Sequence, residues 1–331
     1  MTGELHGTAL LTVAVERWPV AGSFVISRGA KTHVDVVVCT VGDGTHKGRG
    51  EATPIYYKGE TAQGCAETIS AFASAHALDP QTVNAAMPAG AARNALDCAL
   101  WDLEAKRSGS PIWALAGLRP PVALATAFTI SLDTPQAMES AARSAAEAGY
   151  GLLKCKLTGD GDVDRVAAVR RGAQAARLIV DANESWGALD IVREATAMAE
   201  IGVELIEQPV PAGQDEMLAG LTSPVPFCAD ESCQTSADLD RLTMYQAVNV
   251  KLDKAGGLTE ALKLAEEARR RGQMIMVGCM LGTSLGIAPA FLAAQQARWV
   301  DLDGALLLAE DREGGLRASN GMLAPGSLWG G

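Results

Sequence analysis

Hydrophobic and polar positions change rhythm once along this chain, near residue 118. Before that point the apolar runs TALLTVAV and HVDVVVCTV are β-branched and predict two strands, joined by the polar, glycine-containing segment VAGSFVISRGAKT. GRGEATPIYYKGET then interrupts regularity with Gly and Pro. Helical spacing follows over residues 61–76 and 84–107, where Ala95, Leu96, Ala99, Leu100 and Leu103 fall on one face. The second helix stops before Ser108-Gly109-Ser110-Pro111, and the Gly- and Pro-rich stretch 108–121 is the expected boundary.

After the boundary, short apolar runs alternate with helix-length amphipathic segments. The runs are VALATAFTI, GLLKCKL, RLIVDA, VELIEQP, PFCADE, AVNVKLD, MIMVG and WVDLDG, with stretches such as TPQAMESAARSAAEAG and GLTEALKLAEEARRRG between them. Eight strands separated by seven helices predict a parallel sheet with helical crossovers. Eight units suggest a TIM-type α/β barrel. An open doubly wound sheet is the alternative, disfavoured because no GxGxxG follows the first strand.

A length of 331 residues, at about 150 per domain, allows about two domains. The expected division is an N-terminal unit of strands and helices before the boundary and a barrel after it. At 48% apolar the chain can bury a large core, which excludes disorder. A net charge of −11 argues against nucleic acid or an anionic membrane as partner. Gly272–Ala297 carries no charge and is long enough to span a bilayer, but its glycines, Pro289 and several polar residues predict a buried strand, a loop and a helix. Seven cysteines, an odd number without a CxxC pair, suggest free thiols in a reducing cytoplasm. Glu4, an acidic residue where a signal peptide carries positive charge, argues against a secretory signal at the start. Oligomeric state is open, a homo-oligomer included.

Charged residues collect where the barrel strands end. Lys154 and Lys156 end the second, Asp181 the third, Glu207 the fourth and Asp230 the fifth; Lys254 follows the sixth, and Asp301 and Asp303 end the eighth. From Lys156 through Asp181, Glu207 and Asp230 to Lys254 the steps are 25, 26, 23 and 24 residues, about one βα unit each. The C-terminal rim of such a barrel carries the active site. Three carboxylates converging there repel one another unless a cation joins them, and oxygen ligands favour Mg²⁺. All four histidines precede the barrel, which disfavours a zinc hydrolase. Residues two apart on a strand face the same way, so Lys154 and Lys156 share a direction and Cys155 packs outward. Asn183 shares a direction with Asp181 if the strand continues, and becomes a candidate substrate contact.

K-C-K, D-A-N, E-Q-P, A-D-E-S and N-V-K-L-D-K-A-G-G, in this order and spacing, resemble the enolase superfamily, within its muconate-lactonizing subgroup. G-R-G-E-A-T-P and A-L-D-C-A-L-W-D-L-E-A-K look like that subgroup's capping domain. The resemblance covers essentially the whole chain. It implies a (β/α)7β barrel over 119–304 with an α+β capping domain over 1–118 to which the final segment, 305–331, returns, Mg²⁺ on Asp181, Glu207 and Asp230, Lys156 and Lys254 as an acid/base pair on opposite substrate faces, and Lys154 assisting. Two lysines across a carbon acid suit 1,1-proton transfer, and the same pair serves lactonisation or elimination. Within the subgroup, paired aspartates in D-L-D-G resemble the dipeptide epimerases, where Asp301 and Asp303 would meet a free α-ammonium. F-V-I-S-R-G-A-K resembles the closing segment of L-Ala-D/L-Glu epimerases. Arg28 or Lys31 would then hold a side-chain carboxylate, although Lys31 stands where such segments often have Arg. Tyr56, Tyr57 and Lys58 are further cap-loop candidates. An N-acylamino-acid racemase, a non-catalytic relative that binds only, and a Schiff-base aldolase are the competing readings.

Overall fold

The computed structural model describes residues 10–26 and 29–331. The chain opens with a three-stranded antiparallel sheet, β1 (Leu10–Ile26), β2 (Gly29–Gly42) and β3 (Lys47–Ala52). β1 and β2 form one long hairpin, with pairing that extends to Phe24↔Lys31 and Ile26↔Gly29. The connector expected between two shorter strands is therefore itself mostly ladder. β2 reads VDVVVC because both its faces are buried. Val37, Cys39 and Val41 pack into the cap core, while Val34, Val36 and Val38 belong to the main core of the barrel. Helices α1 (Ala62–Ala75), α2 (Pro80–Ala86) and α3 (Ala91–Ser108) cover the first face. The helix expected from residue 84 is broken at Met87–Gly90, where Pro88 and Gly90 interrupt it. A one-turn helix α4 (Ile112–Leu115) leads to the barrel.

The expected first barrel strand divides. β4 (Leu124–Ala125) pairs outside the barrel, and β5 (Phe128–Ile130) begins the ring. β6 (Leu152–Lys156), β7 (Arg177–Asp181), β8 (Val203–Glu207), β9 (Phe227–Ala229), β10 (Ala247–Val250), β11 (Met274–Gly278) and β12 (Trp299–Asp301) follow as neighbours in sequence order, all parallel. The ends meet where Ala127 N donates to Val300 O (2.7 Å) and Thr129 N to Asp303 Oδ2 (2.7 Å). Crossovers use α5 (Pro135–Glu147), α6 (Asp162–Gly172), α7 (Ile191–Ile201), α8 (Leu252–Ala255) with α9 (Leu258–Arg270), and α10 (Ser284–Ala293). The two connections flanking β9 carry only 3₁₀ turns, Asp215–Leu218 and Ser236–Arg241, so the helical alternation read from the sequence is incomplete there.

Inside the barrel, Ala127, Leu152, Ile179, Leu205, Cys228, Ala247, Met276 and Trp299 form one buried apolar layer. Strands β6 to β12 each contribute one residue and Ala127 directly precedes β5; the next inward position, two residues on, lies nearer the C-terminal mouth. The final segment returns across the molecule. β13 (Arg317–Ser319) and β14 (Met322–Ala324) pair with β4. Arg312 Nη2 bonds Glu16 (2.6 Å) and Glu51 (2.7 Å) of the cap, and Gly330 N donates to Asp102 Oδ1 (2.8 Å). Among the described residues no helix is long and apolar enough to cross a membrane.

Candidate active site

One pleat above the apolar layer, the inward residues become Lys154, Asp181, Glu207, Asp230, Asn249, Gly278 and Asp301. Asp181, Glu207 and Asp230 each offer a carboxylate oxygen, all within 4.8 Å of one another, and all three residues are buried. Three buried carboxylates with oxygen-only donors fit a hard divalent cation. Burial and the Asp181 charge push Glu207 up to about 8. Asp181 and Asp230 are also desolvated, but the lysines outweigh this and hold both below the usual carboxylate range, Asp230 far below.

Lysines flank this triad from two sides. On β6, Lys154 Nζ lies 2.6 Å from Glu207 Oε2, 2.8 Å from Asp301 Oδ2 and 3.2 Å from Asp181 Oδ2. Burial alone would lower its pKa; Asp301, Glu207 and Asp181 hold it well above a free lysine. Lys156 Nζ meets Asp181 Oδ2 at 2.7 Å and lines the cavity. Cys155 between them is wholly buried in the outer core, and burial pushes its thiol up to about 12.

The partner across the mouth is Lys251, not the expected Lys254. Lys251 directly follows β10, donates to Asp230 Oδ2 at 2.6 Å and lines the cavity. Its ammonium is held well above the usual range because Asp230 and Glu207 outweigh burial. Lys254 sits one helical turn later with its side chain fully enclosed. It donates to Asp230 O (2.6 Å), Asp230 Oδ1 (2.7 Å) and Asn249 O (2.9 Å), behind the carboxylate rather than in the cavity. A usable signal was present in the sequence, since Ala247, Asn249 and Lys251 share strand parity. Gly278 on the neighbouring strand makes room for this pair: a Cβ there would lie 2.8 Å from Asn249 Oδ1 and 3.0 Å from Lys251 Cε.

Asp301, Asp303, Asn183, Tyr57 and Lys31 line the same cavity. Asp301 Oδ1 is buried without a hydrogen-bond partner, while Asp303 Oδ2 takes the Thr129 amide. Burial, then the Asp301 charge, pushes Asp303 up to about 6. Asn183 reaches the cavity by a turn rather than by continued strand, with φ at 44° and its amide on Asp181 Oδ1 (2.9 Å). Burial and nearby Asp230 raise the Tyr57 phenol above its ordinary range. Lys31 Nζ lies 4.3 Å from the Tyr56 ring centroid, and burial lowers its pKa. Arg28 lies outside the described residues. Thr53 and Pro54, which end the G-R-G-E-A-T-P segment, also line the cavity, as does Leu281, which no motif marks.

Fold and site together define a class, the capped (β/α)7β barrels with an acidic cation site between lysines. Residues 8–117 match the mandelate racemase / muconate lactonizing enzyme N-terminal domain, and residues 136–329 the enolase C-terminal domain-like family. The L-Ala-D/L-Glu epimerase of Escherichia coli (strain K12) is 43% identical over 93% of this chain and 97% of its own. The N-acetyl-D-glutamate racemase of a Pseudoalteromonas species is 48% identical over 74% and 78%. Among solved structures, an Agrobacterium tumefaciens enolase family member with homology to dipeptide epimerases, bound to sodium and L-Ala-L-Glu, superposes with a TM-score of 0.92 at 49% identity, covering 97% and 100%. The dipeptide epimerase of Enterococcus faecalis V583, complexed with Mg and L-Leu-L-Tyr, gives 0.89 at 29% identity over 97% of both chains. The chain belongs to the mandelate racemase / muconate lactonizing enzyme family of the enolase superfamily.

Proposed function

We propose that this protein is a Mg²⁺-dependent dipeptide epimerase that inverts the α-carbon of the C-terminal residue, with L-Ala-D/L-Glu as its substrate. The chemical change is an isomerisation: one proton leaves Cα from one face and another arrives on the opposite face. Asp181, Glu207 and Asp230 would hold the cation. When bound, Mg²⁺ supplies positive charge against which negative charge can build on the substrate carboxylate. Lys156 ends β6 and Lys251 directly follows β10, strands four apart in a ring of eight, so the two lysines lie across the mouth from each other. The neutral one of the pair takes the α-proton, and its charged counterpart returns one to the other face. Lys154, enclosed by three carboxylates, stays charged and adds positive potential beside the developing carbanion.

Asp301 and Asp303 carry the choice of a dipeptide. Two carboxylates in one cavity, one with an unpartnered oxygen, suit a free α-ammonium and repel the dianionic substrates of other subgroup members. They also distinguish this chain's reading from an N-acetylated glutamate, whose amide brings no charge. Arg28 or Lys31 would hold the glutamate side chain, and the position of Lys31 at the cavity wall, on the face of Tyr56, supports Lys31. Seven free cysteines suit the reducing cytoplasm.

The test is deuterium uptake at Cα in D₂O across a library of L-Xaa-L-Yaa dipeptides and N-acetylated amino acids. Exchange concentrated on Ala-Glu and abolished by chelator is the expected result. Preference for N-acetyl-glutamate would replace epimerase by N-acylamino-acid racemase, and full exchange after chelation would exclude the metal.

A further inference from the structure

The cap meets the barrel through a polar buried seam at the turn that follows β10. Asn94, on helix α3, donates from Nδ2 to Asp253 Oδ1 at 2.9 Å. The same oxygen accepts Thr53 N at 2.9 Å, and Thr53 belongs to the cap loop lining the cavity. One residue before Asn94, Arg93 donates to Gly256 O (3.0 Å) and Ala255 O (2.5 Å), closing the C-terminal end of α8. A Cβ at Gly256 would strike the Arg93 guanidinium, so the turn and the arginine fit only with glycine there. The other end of α8 begins at Lys251, whose carbonyl accepts from Lys254 N (3.1 Å) and Ala255 N (2.9 Å). The backbone that carries Lys251 is therefore gripped from the cap side.

We propose that Asp253 is a positioning residue through which the capping domain sets Lys251 at the barrel mouth. One carboxylate oxygen gathers a donor from the cavity loop and a donor from α3, two residues beyond the lysine. Cap seating and lysine placement are thereby one structural event. Misplacing a reacting group by about 1 Å costs about 100-fold in rate, so a loosened turn reads out in catalysis before it reads out in folding. The proposal rests on Lys251 being one of the two acid/base lysines.

The test follows stereospecific α-proton exchange in D₂O, epimer by epimer. Lys251→Ala first identifies the epimer that Lys251 serves; if it exchanges both epimers normally, the assignment of Lys251 fails, whatever Asp253 does. Asp253→Leu, which removes the accepting oxygen while keeping the branched heavy-atom skeleton, should slow exchange of that same epimer at least about tenfold and spare the other. Asp253→Asn keeps an accepting oxygen and should restore it. Mg²⁺ affinity by calorimetry should be unchanged in both. Asn94→Ala, a gentler loss on the same oxygen, should show the same asymmetry and serves if Asp253→Leu does not fold. Equal loss for both epimers, or no asymmetry in Asn94→Ala, would overturn the positioning role while leaving Lys251 in place.

Discussion

Lys154 and Lys156 on one side of the barrel, and Lys251 and Lys254 on the other, are pairs of similar appearance and different construction. The first pair is two residues apart on a strand, where side chains alternate, so both ammonium groups enter the mouth. The second pair is three apart and spans the end of a strand and a single helical turn. Only Lys251 keeps the strand's inward direction; Lys254 is carried round behind Asp230. Two lysines close together in a sequence can therefore divide into one that lines the cavity and one that is enclosed behind it, and the local backbone period decides which.

Substitutions separate these roles, beginning with the largest effect. Lys156→Ala and Lys251→Ala should each lower epimerisation by about 100- to 10,000-fold, with exchange of one epimer surviving in each. Full turnover by Lys251→Ala would reverse the comparison and return Lys254 to consideration. Lys254→Met should act on the fold. It takes from Asp230 one of its two buried ammonium partners, Lys251 remaining, and should cost a measurable share of the roughly 3–5 kcal/mol of a fully broken buried pair, readable as a lowered denaturant midpoint. Normal stability with lost exchange would show that Lys254 acts chemically after all.

The opposite wall is probed by Asp303→Asn. Binding of dipeptides should weaken by about 2–5 kcal/mol, with much less effect on N-acetylated substrates. Acid should mimic this. The Asp303 carboxyl sits at about 6, raised by burial and Asp301. Protons bind it as pH falls through that value, and its charge for the ammonium is then lost. kcat/KM on dipeptides should fall below about pH 6 and lose that limb in Asp303→Asn. The smallest effect belongs to the cap. Lys31→Ala should cost Ala-Glu about tenfold, the scale of one charge-assisted hydrogen bond, and leave Ala-Leu unchanged. Equal losses would make Lys31 a structural residue of the hairpin.

Sequence by itself determined what depends on period and order. Alternating apolar runs specify strands and crossovers because the barrel's parallel strands are buried on both sides. The spacing of Asp181, Glu207 and Asp230 places one carboxylate per βα unit at one rim. K-C-K parity points both lysines inward and Cys155 outward. Tertiary structure decided what depends on partners distant in the chain. Whether Lys251 or Lys254 enters the cavity turns on where β10 gives way to α8, a boundary of one residue that apolar patterning does not resolve. The seam at Asp253 joins residues 159 and 200 positions away, and Asp303 finds Thr129 174 positions away. Such contacts carry no local period, because a folded chain sets them by closing its ring and seating its cap.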